Sequence, residues 1–153
     1  METEIKKLTE SDYEMLNFIY KNAEMGVSSL NQLKNVVKDE RLKKLIDIQY
    51  EEYKEIYDKA ESYMKAFDRE SDGISLLQKL ESYIMINLKT MNDEKSLNNI
   101  AEMLIQGSTM GEIQILRNLR KYKDKVDENI YSLGEKLLKT EQYNIKECKK
   151  LLS

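Results

Sequence analysis

Apolar residues recur along most of the chain at spacings of three and four, the signature of helices with one buried face. Leu16, Ile19, Ala23, Gly26, Leu30, Leu33 and Val37 make the first such seam, after cap candidates in Thr9–Asp12, and predict a helix over about 11–37. Asp39 caps a second pattern, Leu42, Leu45, Gln49, Glu52, Ile56, Ala60, Tyr63 and Phe67, predicting a helix over about 40–67. The link between them is short, so the two are expected to form an antiparallel hairpin. Ser71, Asp72 and Gly73 then break the pattern, and a shorter amphipathic helix is predicted over about 75–91. After Asn92–Ser96, two more long helices follow, over about 94–122 and 127–152. Their seams are Leu97, Ala101, Leu104, Ser108, Gly111, Ile115 and Tyr122, then Ile130, Gly134, Leu137, Glu141, Asn144, Cys148 and Leu151.

The first and third long helices superpose at an offset of 85 residues, which pairs Met25-Gly26 with Met110-Gly111 and Val37-Lys-Asp39 with Tyr122-Lys-Asp124. The second and fourth pair at an offset of 89, with Glu52 on Glu141 and Ile56 on Ile145. Two repeated hairpins are therefore expected, joined by residues 68–95, a connection too long for a simple turn. A glycine inside a helix costs about 1 kcal/mol relative to alanine, so Gly26, Gly107 and Gly111 need a reason. Gly26 and Gly111, with Ala23 and Ser108 a turn earlier, predict a close approach of the first and third helices; for Gly107 a local bend is the available reading.

The 153 residues fit one domain, 1–153, with enough length to bury a core. Charged residues make up 35% and proline is absent, which agrees with an all-α protein. The net charge of −3 is spread along the chain without a basic stripe, and this argues against a nucleic-acid binder. No apolar run approaches a membrane span, and the charged N-terminus has no apolar signal core, so no membrane is expected and a cytoplasmic location is. Cys148 is the only cysteine, and there is no histidine. That excludes Ser-His-Asp, Cys-His and HExxH chemistry, and no phosphate-binding glycine motif is present.

Two helical hairpins, a long connection and inward acids on the second and fourth long helices resemble the ferritin-like superfamily. The segment "IAEMLIQGSTMGEIQI" is similar to small bacterial members of it. The resemblance implies a ferritin-like four-helix bundle with a long crossover carrying the short fifth helix. It also implies a dinuclear metal site with one Glu on each of the first and third helices and ExxH on each of the second and fourth. Carried over by position, these fall on Glu24, on Glu52 with Glu55 at a histidine position, and on Glu141 with Asn144 at the other. Thr109 stands where the third helix should offer a glutamate, Glu112 lies one turn on, and Glu51 with Lys54 is the other register on the second helix. The site is therefore degenerate. A polar core around Glu52 and Glu141, satisfied by bonds from Tyr20, Tyr53, Tyr143 or the Asn144 amide, is favoured over a cation held by Glu24, Glu52, Glu55 and Glu141, where oxygen ligands alone would suit Mg²⁺, Ca²⁺ or Mn²⁺.

The expected function is a non-catalytic scaffold or partner-binding protein that has lost the di-iron site, with no cofactor. The alternative is a carboxylate-only protein binding a divalent metal. Helix 75–91 is more apolar than one stripe requires, through residues such as Leu77, Leu80, Ile84 and Ile86, and a homodimer or protein partner is expected there. Tyr50, Tyr53, Tyr57 and Tyr63 alternate with glutamates and read as core-edge residues, not as a base-stacking platform. Met25, Met103 and Met110 read as core filling or as an adaptable binding surface, and Cys148 as a buried inert thiol.

Overall fold

The computed structural model describes residues 8–67 and 93–153. Among the described residues there are four helices and no strand: α1 (Glu10–Lys34), α2 (Glu40–Met64), α3 (Asp93–Lys121) and α4 (Glu128–Lys149). They pack around one core, compatible with a four-helix bundle. The expected short helix over 75–91, and the crossover containing it, lie outside the described residues.

Side-chain caps set where three of the helices begin. Thr9 accepts from the Asp12 amide at 3.1 Å while Asp12 Oδ2 accepts from the Thr9 amide at 2.8 Å, a reciprocal capping box that opens α1. Asp39 accepts from the Arg41 and Leu42 amides to open α2, and Asp127 accepts from the Asn129 amide to open α4. Between α3 and α4 the chain turns through Asp124, whose positive φ of 61° is one of the few left-handed conformations aspartate tolerates. α1 ends three residues before its expected limit, although Val37 beyond it remains buried.

Helix directions follow from pairs of touching residues. Tyr20 stacks on Tyr57 and Tyr13 meets Phe67 edge-on, so α1 and α2 run antiparallel. Tyr131 donates to the Leu119 carbonyl and Asn98 bonds Ser153, so α3 and α4 do too. Tyr53 reaches Glu141 while Gln49 reaches Cys148, and this makes α2 and α4 antiparallel as well. The N-terminal ends of α1 and α4 lie together, with Asp12 Oδ1 accepting from the Asp127 amide at 2.7 Å. Consequently α2 and α3 point the same way.

The α4 seam is buried as its spacing requires, from Ile130 through Gly134, Leu137, Glu141 and Asn144 to Cys148. The α2 seam departs from expectation by one residue at its centre. After Gln49 it steps four to Tyr53, so Tyr53 is buried and Glu52 is only half-buried. Buried positions of α2 and α4 therefore match at an offset of 88, with Leu42 on Ile130, Gln49 on Leu137, Tyr53 on Glu141, Ile56 on Asn144 and Ala60 on Cys148.

Candidate functional site

Glycines in α1 and α3 make the middle of the bundle possible. A Cβ on Gly26 would stand 2.7–2.9 Å from three ring atoms of Tyr53, and a Cβ on Gly111 would overlap Glu141 Oε2. Each glycine thus makes room for a large side chain on the partner helix of its own hairpin. Since Gly26 matches Gly111 and Tyr53 matches Glu141, the arrangement repeats in both hairpins. The two large side chains meet head to head, the Tyr53 hydroxyl donating to Glu141 Oε1. Asn144 Nδ2 donates to the Tyr53 oxygen at 3.2 Å, and one turn further along α4 Gln49 donates to Cys148 Sγ at 3.4 Å.

Glu141 is 2% exposed, and burial pushes its carboxyl up to about 8. Near neutral pH it is largely protonated, which lowers the cost of keeping it in the core. Burial also raises the Cys148 thiol, which removes it from nucleophilic chemistry.

The remaining candidate ligands do not gather around Glu141. Glu55 is exposed and pairs with Lys136 and Lys59, which hold its carboxyl below its ordinary range. Glu24 is half-buried, with its carboxyl raised by desolvation, and Glu52 is half-buried on the flank of α2. Among the described residues no three Asp, Glu, Cys or His side chains come together as a metal would need. Tyrosine 53 occupies the place opposite Glu141 that the sequence reading gave to Glu52.

The close approach expected between the first and third helices, at Ala23, Gly26, Ser108 and Gly111, takes a different form. Ala23 and Ser108 are buried, but α1 and α3 touch little along their length. They meet where Tyr122 donates to Glu14 at 2.6 Å, and beyond that point a cleft of about 220 Å³ opens between them. Met25, Leu30, Leu33, Met103 and Leu104 form much of its wall, with Met110, 62% exposed, also lining it. Tyr53, Glu141 and Gln49 supply polar groups from α2 and α4. Gly107 lines it as well, with nothing within 4 Å of a Cβ placed there.

Sequence reasoning named Tyr53 and Asn144 among the groups able to bond a buried glutamate, but it missed the cleft and the place of Tyr53 on the α2 seam. The available signal was the pairing of Gly26 with Gly111 at one offset, which marks two places where a helix must yield to a neighbour without saying to which. Other tyrosines of α1 and α2 make contacts within the first hairpin. Tyr20 and Tyr57 stack with centroids 5.1 Å apart, and Lys34 Nζ sits 3.6 Å from the Tyr50 ring centre.

Compared with known proteins, the chain matches no family model, no curated protein and no solved structure.

Proposed function

We propose that this chain is a ferritin-like bundle without redox chemistry, a non-catalytic scaffold or binding protein whose metal-site position has become a polar core. The carrying observation is the Tyr53–Glu141 bond: a phenol stands where a dinuclear site needs a second carboxylate, and its proton occupies the oxygen a metal would use. The outward turn of Glu55 to Lys136 agrees with this reading, and so does the shared direction of α2 and α3, which a long crossover would produce. A cytoplasmic location fits the single buried thiol, and no described helix is long and apolar enough to cross a membrane. The apolar sequence 75–91, outside the described residues, is the proposed contact with a second copy or a protein partner.

Elemental analysis of protein purified without chelator tests the central claim. Absence of stoichiometric Fe, Mn or Zn is the expected result. A stoichiometric metal that disappears in Glu141→Gln and Glu52→Gln would establish the carboxylate-only metal protein instead.

A further inference from the structure

The cleft between α1 and α3 has a consistent chemical character. Its walls are thioether and aliphatic, and among the described residues Glu141 is the only acid lining it. Neither lysine nor arginine lines it, from any of the four helices. The other polar groups there, among them Asn22, Ser108, Gln49 and Gln114, are neutral and carry oxygens that accept hydrogen bonds. Among the described residues lining the cleft, Tyr53, from α2, is the only other titratable side chain, and it donates to Glu141.

α3 also gives up a side chain to keep the carboxyl in place, because any Cβ at position 111 would displace it. Gly107, one turn earlier, leaves open space on the same side of the helix. Two interior glycines cost about 2 kcal/mol of helix propensity. One of them accommodates the acid and the other enlarges the cleft, so together they preserve an acid-containing space between apolar walls. Among the described residues an anion would find no positive partner there, and a metal ion would find one carboxylate among soft and apolar groups. An organic cation fits both halves of the lining, its apolar body against the methionines and leucines and its charge on the carboxylate.

We propose that this cleft binds a small organic cation, an amine on an apolar body, with Glu141 as its counter-ion. A dry cavity of roughly 150 Å³ accepts benzene, so this cleft suits a ligand of about eight to ten heavy atoms. The ammonium pairs with the ionised carboxylate, while the Tyr53 hydroxyl continues to donate to Oε1. The site goes beyond the scaffold reading and does not depend on it: a bound metal would contradict that reading, whereas the amine is tested separately.

Phenethylamine and its uncharged isostere phenethyl alcohol are the probes, titrated calorimetrically into the full chain. The amine should bind about tenfold or more tightly than the alcohol, a difference of about 1.4 kcal/mol or more. Glu141→Gln should remove that preference while leaving the alcohol's affinity in place, and Gly107→Leu should block both probes by filling the cleft. The comparison of amine with alcohol is a readout on the unmodified protein that requires no variant to fold. Equal affinity for the two probes, undiminished amine binding in Glu141→Gln, or binding that survives Gly107→Leu would each overturn the proposal.

Discussion

Gly107 and Gly111 stand one turn apart on α3 and should respond oppositely to the same substitution. Nothing lies within 4 Å of a Cβ on Gly107, so Gly107→Ala should gain helix propensity and stabilise the fold by about 1 kcal/mol. Gly111→Ala drives its methyl into Glu141 and breaks the bond to Tyr53, for a loss of about 2–4 kcal/mol. Urea unfolding of the two variants checks both signs. Glu141 itself makes stability depend on pH. Its carboxyl titrates near 4.5 when unfolded and near 8 when folded, so between these values the folded state holds more protons. Its contribution is therefore fully present at low pH, falls as pH rises through that window, and levels off above the folded value. Relative to Glu141→Gln, wild type should lose on the order of 3 kcal/mol between about pH 5.5 and about pH 8.5. A difference independent of pH would show that the carboxyl is not held in its protonated form.

At the level of elements, Asp12 connects two helix starts. One oxygen closes the α1 capping box and the other accepts from the amide of Asp127, the residue that caps α4. Asp12→Ala should cost about 2–3 kcal/mol by leaving both amides without their acceptor, and Asp12→Asn, which keeps one oxygen, should lie between. Thermal melts of the pair provide the measurement. The capping box was legible in Thr9–Asp12, whereas its second bond was not, because nothing local relates residue 12 to residue 127. The α4 seam was legible throughout, since its steps of three and four from Ile130 to Cys148 all reach buried residues, Asn144 among them despite the neighbouring Ile145. On α2 the pattern reaches Gln49, where steps of three and four both continue a helix and lead to Glu52 or Tyr53. The ferritin-like resemblance favours the acid. Packing favours the tyrosine, whose ring fills the space beside Gly26 and whose hydroxyl meets the only carboxyl buried in α4.

In the whole molecule the two hairpins are held together unequally. α4 packs against α3, α2 and α1, whereas among the described residues α3 packs extensively only against α4, the α1–α3 side being largely the cleft. Local opening follows such differences, because a segment with fewer apolar contacts separates at lower free energy than the fold as a whole. Hydrogen exchange followed by mass spectrometry should therefore find the slowest amides in central α4, around Leu137–Asn144, where Leu137, Thr140, Glu141 and Asn144 are all buried. Amides of α3 from about Met103 to Met110 should exchange earlier, as their helix turns one side to the cleft. Occupying the cleft should slow that stretch selectively, since a ligand bridging α1 and α3 must be released before α3 can move. Uniform protection along α3 and α4 would instead mean that the bundle opens as one cooperative unit and that the cleft does not weaken the α1–α3 side.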